Sequence, residues 1–356
     1  MVWDLGKKIK DGQYRIQEVL GEGRFGITYR ASDRNGDSVV IKTPRDVGFK
    51  LWESERLQKL FWQEASKLKG CDHPHIVRVK ELFSEGKANC MVMEYIDGTT
   101  LDRRSTKILP EKEALRYIEQ IGQALMVVHS RRFLHRDIRP GNIMIRTGKP
   151  EAVLIDFGLA LDFDEELTKT RTQELASGFA PIECYSRDAK RGAFTDIYSL
   201  GAVLYELLTG KIPVNAMTRK IDHQPLIEPK TYNSEISPNI NKAILWALEL
   251  DIDKRPQSVQ AWFKDLGLSI PKPEQFKISQ PIVINWTLVW AGVAAIATLL
   301  TALGVPELMK QKFTPQPTPT GSPPSSPKSV GVKNYQMPPL SRGDQGGIKP
   351  PLSRGD

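Results

Sequence analysis

The order of elements along the chain predicts an α+β fold of two lobes with a cleft between them. Strand-like runs come early, at Tyr14–Leu20, Gly26–Ala31, Ser38–Lys42, Val77–Phe83 and Cys90–Tyr95. One helical stretch, Trp52–Lys69, interrupts them and is rich in Leu, Ala, Lys and Glu. Beyond Glu111 long helical stretches take over, at Glu111–Ser130, Asp196–Thr209 and Asn241–Glu249. A strand-rich part followed by a helical part reads as one lobe stacked on another.

Composition agrees with a globular core. The 356 residues are 40% hydrophobic and 26% charged, enough apolar surface for a sizeable interior. The net charge of +8 comes from scattered Lys and Arg, with no basic block and no aromatic-basic interleaving, which argues against nucleic-acid binding. Attraction to anionic headgroups is the better use of that charge. Cys71, Cys90 and Cys184 are far apart and odd in number, form no Cys-x-x-Cys pair, and fit a reducing compartment. Met1–Lys10 is short, mixed and basic, unlike a signal peptide.

The composition then changes twice. From Ile282 to Val305 there is no charged residue, and at about 1.5 Å per residue this run crosses a hydrocarbon core of roughly 30 Å. Trp286 and Trp290 stand toward one end of it, where indole prefers the headgroup region. After Lys312 the chain is rich in Pro, Ser, Thr and Gly, with P-P-L-S-R-G-D at Pro338–Asp344 and again at Pro350–Asp356. Such a segment buries too little apolar surface to offset its ordering entropy and is expected to be disordered. Its Arg-Gly-Asp triplets follow from the repeat itself rather than from an adhesion role. The expected organisation is a catalytic domain over 14–268, a juxtamembrane linker over 269–281, a transmembrane helix over 282–305 and a Pro-rich tail over 306–356.

Chemistry concentrates in the first domain. Gly21, Gly23 and Gly26 form G-E-G-R-F-G directly after a strand-like run, a spacing that lets backbone N–H groups approach phosphate oxygens. A dinucleotide-binding fold needs a helix after such glycines, whereas strand-like I-T-Y-R-A-S follows here. Lys42 ends the next run, placed to reach under a glycine lid toward phosphates, and Glu64 in the helical stretch would pair with it. Then come Leu134-His135-Arg136-Asp137-Ile138-Arg139-Pro140-Gly141-Asn142 and, after Ala152–Ile155, Asp156-Phe157-Gly158. Two carboxylates and a carboxamide at these spacings supply a proton acceptor, a means of orienting a hydroxyl and oxygen ligands for phosphate-bound cations.

On these motifs the sequence resembles the eukaryotic-type (Hanks-type) Ser/Thr protein kinases over about Tyr14 to Leu268, and a kinase domain joined to one span and a short tail resembles the membrane-anchored bacterial members. The resemblance implies the bilobal protein kinase fold, with a β-rich N-lobe and a helical C-lobe, using ATP and Mg²⁺, with Mn²⁺ as the alternative ion. It implies that Gly21, Gly23 and Gly26 cover the phosphates and that Lys42 binds the α- and β-phosphates. Asp137 would orient the substrate hydroxyl and take its proton, while Asn142 and Asp156 would hold the metal ions. Leu20 and Thr28 would border the nucleotide, with Met93 as gatekeeper and backbone groups near Glu94 and Ile96 meeting adenine. Glu183 of Pro181-Ile182-Glu183 would pair with Arg255, and Asp196 would brace the catalytic loop.

Three departures stand out. Arg139 occupies the place of the usual catalytic-loop Lys, and a planar guanidinium is not equivalent to a compact ammonium. Ala176 falls where the family's Thr contacts that loop, with Ser177 as a neighbouring substitute, and Thr28 replaces the usual Val. Arg139 and Ala176 leave a nucleotide-binding scaffold of the same fold as the alternative to an active enzyme. Arg136 before Asp137 is the arrangement of kinases whose activation loop is ordered by phosphate. Thr168, Thr170 and Thr172 are the expected autophosphorylation sites, solvated loop threonines being the alternative. The expected partners are protein substrates, the membrane through a single span, and a second copy of the chain for trans-autophosphorylation. Because ATP and Mg²⁺ are cytoplasmic, the domain is expected on the cytoplasmic side of the cell membrane.

Overall fold

A computed structural model describes residues 3–23, 26–45, 51–157, 178–186 and 188–270. Gly158, Thr168, Thr170, Thr172, Ala176, Ser177, the apolar run 282–305 and the Pro-rich tail lie outside these described residues. Among the described residues no helix is long and apolar enough to cross a membrane.

The first lobe is a six-stranded sheet in the order β1-β2-β3-β4-β6-β5. Its strands are β1 (Lys8–Ile9), β2 (Tyr14–Glu22), β3 (Gly26–Ser32), β4 (Ser38–Pro44), β5 (Val79–Glu85) and β6 (Ala88–Glu94), paired antiparallel throughout. The period-2 pattern decides which face each residue serves. Ile27, Tyr29, Val39 and Ile41 enter a core beneath the sheet with Cys90 and Val92. On β6 the intervening Met91 and Met93 belong instead to the core that runs through the second lobe. Helix α1 (Leu51–Lys69) lies chiefly across β5 and β6 and only touches β4.

The stretch around Val77, expected to open a strand of the first lobe, is stitched to the second lobe. Ile76 bridges Leu154 in parallel, the Val77 N–H donates to the Leu154 carbonyl (3.0 Å), and the Leu154 N–H donates to the His75 carbonyl (2.9 Å). β5 therefore starts only at Val79.

In the second lobe a small sheet of β7 (Gly98–Thr100), β8 (Ile143–Arg146) and β9 (Ala152–Leu154) faces the cleft. At Gly98 a Cβ would sit 2.2 Å from the Ile145 carbonyl oxygen, so β7 approaches β8 as only glycine permits. The helices are α2 (Glu111–Ser130), α3 (Ala193–Thr209), α4 (Ala216–Ile221), α5 (Pro229–Tyr232), α6 (Pro238–Ala247) and α7 (Val259–Leu266). α3 is the central one: apart from Ala193 and Glu206 every residue is buried, and burying each Leu- or Val-sized side chain contributes about 1.5–3 kcal/mol. It is the rigid post on which the site below is mounted.

Candidate active site

Alternation on β4 sends Val40 and Lys42 to the cleft face. The Lys42 ammonium meets Asp156 there, Nζ to Oδ1 at 2.9 Å. Asp156 follows β9 with a left-handed backbone, φ +51°, a conformation that costs a non-glycine residue roughly 1–2 kcal/mol. The next residue fixes it: Phe157 is buried, stacked on Phe133 (5.7 Å, 11°) and 4.5 Å from the His135 ring. The charge of Lys42 holds the Asp156 carboxyl below its ordinary range, against the opposing effect of burial, so the group is ionised at neutral pH.

The sequence expects Glu64 to be the partner of Lys42. Glu64 is buried on α1, and α1 barely touches the strand that carries Lys42.

Asp196, fully buried in the first turn of α3, organises the catalytic loop. It accepts the backbone N–H groups of His135 (3.0 Å) and Arg136 (2.8 Å) and a hydrogen bond from His129 Nε2 (2.7 Å). Burial pushes its carboxyl up, but these donors and the neighbouring histidines outweigh it and the net direction is down. Arg136 is held at φ +65° by the same contacts. His135, with no exposed surface, donates from Nε2 to the Ile155 carbonyl (3.0 Å) and accepts the Asp137 N–H at Nδ1 (3.2 Å). A neutral imidazole satisfies both bonds, and burial lowers its pKa accordingly.

The Asp137 side chain is partly exposed. Asn142 Nδ2 donates to both its backbone oxygen and its Oδ2, each at 2.7 Å, which leaves Asn142 Oδ1 as an acceptor. Arg139 Nε lies 3.6 Å from Asp137 Oδ1, with both side chains about half exposed. Pairs of that kind contribute between about zero and 1 kcal/mol, so Arg139 is free to turn toward a ligand. One carboxylate and one carboxamide oxygen suit a hard divalent cation shared with phosphates. Among the described residues no cluster of three or more His, Cys, Asp or Glu would hold an ion alone.

Between the lobes is a cavity of about 590 Å³ lined by Leu20, Gly21, Thr28, Met93, Glu94, Ile96 and Asp156 together with Val40, Val77, Met144 and Ile155, a size ordinary for small-molecule sites. The last four were not singled out from the sequence. Val40 was findable, because it shares a strand face with Lys42. The glycine turn closes with the Gly23 N–H on the Gly26 carbonyl (2.9 Å). Two consecutive hinge residues are tied to different lobes. The Glu94 carboxylate accepts Arg146 Nη2 of β8 (2.9 Å), while the Arg30 guanidinium of β3 lies 4.6 Å from the Tyr95 ring centroid. Glu183 and Arg255 form a buried bidentate pair at 2.7 and 2.9 Å, with Thr195 Oγ1 donating to Glu183 (3.0 Å).

A β-rich lobe over a helical lobe, with a glycine turn and these carboxylates, is the bilobal protein kinase fold. The chain belongs to the protein kinase family, matching the protein kinase domain over residues 14–265. It is 32% identical over 274 residues to serine/threonine-protein kinase PrkC of Bacillus subtilis, covering 74% of this chain and 41% of that protein. It is 30% identical over 276 residues to serine/threonine-protein kinase pkn3 of Myxococcus xanthus, covering 71% and 49%. A solved apo form of PpkA-294 has a TM-score of 0.64 at 29% identity, covering 74% of this chain and 99% of that one. The chain spans about two fifths of the length of the first curated relatives it matches, 38–41%.

Proposed function

We infer that this chain transfers the γ-phosphoryl group of ATP to serine and threonine hydroxyls of proteins. The observation that carries this reading is the meeting, in one cleft, of the Lys42–Asp156 pair (2.9 Å) and the Asn142–Asp137 pair (2.7 Å). In this mechanism the apolar walls at Val40, Met93 and Met144 hold adenine, with backbone groups of Glu94 and Ile96 reading its edge. Gly21, Gly23 and Gly26 cover the phosphates, and Lys42 orients the α- and β-phosphates. Asp137, its Oδ2 fixed by Asn142, directs Oδ1 at the substrate hydroxyl and takes its proton as the Oγ–P bond forms and the β–γ bridging bond breaks. Arg139 swings from Asp137 to the γ-phosphoryl oxygens. Asn142 Oδ1 and Asp156 would hold Mg²⁺, or Mn²⁺, which when bound neutralises charge on the phosphates.

The rest of the chain extends the reading. The run 282–305 would anchor the domain to the cell membrane by a single span, the kinase domain cytoplasmic and the Pro-rich tail outside. Two copies would then meet in the membrane plane and phosphorylate Thr168, Thr170 or Thr172 in trans, pairing the new phosphate with Arg136. Protease added outside intact cells would overturn this topology by removing the kinase domain and sparing the tail.

The test is phosphoryl transfer by the full chain in detergent, with ATP and Mg²⁺, beside Asp137→Asn. Transfer to a generic basic protein should fall at least about a thousandfold in the variant. A folded wild-type chain that binds ATP and transfers nothing would make it a nucleotide-binding scaffold.

A further inference from the structure

The family match begins at residue 14, yet residues 3–13 are built into the first lobe. Asp11 and Gly12 take φ +52° and +75°, and the Gln13 N–H closes on the Lys10 carbonyl (3.0 Å). This is the tight two-residue turn that Asp-Gly favours. It folds β1 back on β2, Ile9 opposite Tyr14. Ile16 of β2 is held at both backbone groups: the Gly6 N–H donates to its carbonyl (2.8 Å), and its own N–H donates to the Lys7 carbonyl (2.9 Å). At the start of the segment the Trp3 backbone N–H donates to the Tyr29 hydroxyl (3.0 Å), and the two rings lie 5.3 Å apart at 31°. Trp3 is 3% exposed and Tyr29 not at all.

Tyr29 sits behind the cleft. Its neighbour Thr28 lines the cavity and pairs across the sheet with Lys42, while Tyr29 itself stands opposite Val19 of the glycine hairpin and Ile41 of β4. Strand alternation therefore puts Thr28 and Lys42 on the nucleotide face and Tyr29 on the other. The hairpin has little else to rest on. From Gln17 to Glu22 the outer half of β2 is exposed, Val19 and Leu20 included. Its height over the cleft is set by β3 and by whatever supports β3 from behind.

We propose that Trp3 is a positioning residue for nucleotide binding, acting through Tyr29 to set the height of the glycine hairpin and the place of Thr28 and Lys42. The proposal rests on the reading of the cleft as an ATP site. Trp3 touches no nucleotide. Removing its indole leaves a void under Tyr29 into which β3 relaxes, and the hairpin then meets the phosphates less well before any chemistry begins. The loss falls on binding rather than on the chemical step.

The experiment compares the full chain with Trp3→Ala, Trp3→Phe and Tyr29→Phe, by equilibrium titration with Mg·ATP and by steady-state transfer. In Trp3→Ala the Kd and the KM for ATP should rise about fivefold or more, with kcat within about twofold. Trp3→Phe, which restores a ring on Tyr29, should recover most of the affinity. A folded Trp3→Ala chain with unchanged Kd, or one that loses kcat at constant KM, overturns the proposal. Should Trp3→Ala fail to fold, Tyr29→Phe keeps both rings and removes only the acceptor of the Trp3 backbone N–H, the bond that seats residue 3 on Tyr29. A Kd raised about twofold supports the proposal, and an unchanged Kd overturns it. Wild-type chain that binds Mg·ATP but transfers nothing would defeat the kinase reading and leave the Kd comparison to decide this one; wild-type chain that binds no nucleotide defeats both.

Discussion

Asn142 grips Asp137 twice, one Nδ2 reaching the backbone oxygen and the carboxylate Oδ2 of the same residue at 2.7 Å each. This fixes a side chain that is otherwise open to solvent. Asn142→Ala should lower kcat about a hundredfold, the scale of a small misplacement of a reacting group. Asn142→Asp should not rescue it, since a second carboxylate would replace two donors and repel Asp137. Single-turnover transfer of the two variants measures this, and wild-type rates in Asn142→Asp would show that the grip is irrelevant.

The Glu183–Arg255 pair is buried on both sides. Breaking such a pair leaves one charge stranded, at about 3–5 kcal/mol. Arg255→Met should lower the chemical-denaturation stability by that amount. Arg255→Met combined with Glu183→Leu should recover part of it, because no stranded charge remains. A double variant less stable than the single one would contradict this account.

Acid should weaken the fold in a window set by His135, which is buried, and by the partly buried His73 and His75. Burial, and then the charge of His75, pulls the pKa of His73 from 6.5 to about 4; burial lowers His75 and His135 as well. As pH falls below about 6.5 the unfolded chain takes up protons that the folded chain refuses. The stability present above that pH is therefore lost progressively down to about 4. Urea midpoints should decline between neutral pH and pH about 5, and His73→Gln should flatten the decline. A parallel decline in the variant would remove His73 from the explanation.

Gly122 on α2 marks a close approach to α7, where a Cβ would stand 2.2 Å from Phe263 Cζ. Gly122→Ala should destabilise the second lobe by about 1–3 kcal/mol through overpacking. Phe263→Leu added to it should restore part of the loss. Additive destabilisation in that double variant would mean that the two residues do not compete for space.

Much of this was legible in the sequence because the patterns are local. Period-2 runs fixed which residues of β3 and β4 face the cleft, and the span Glu111–Ser130 appears unchanged as α2. The motif residues Leu20, Gly21, Thr28, Met93, Glu94, Ile96 and Asp156 line one cavity. What was missed depends on distant placement. The tie of Val77, expected to open a strand of the first lobe, to Leu154 of β9 is a contact between lobes. The β1 hairpin was missed although Asp11-Gly12 announces it, because the resemblance starts at Tyr14 and the residues before it carry no catalytic motif.

β6 has one further consequence. Cys90 and Val92 lie in the core of the first lobe, and Met91 and Met93 in the core of the second. A single strand thus serves as common wall to two interiors, and neither can be hydrated without exposing one side of it. The two lobes should melt together, as one cooperative transition with equal calorimetric and van't Hoff enthalpies, and nucleotide bound in the cleft should raise that single melting temperature rather than split it.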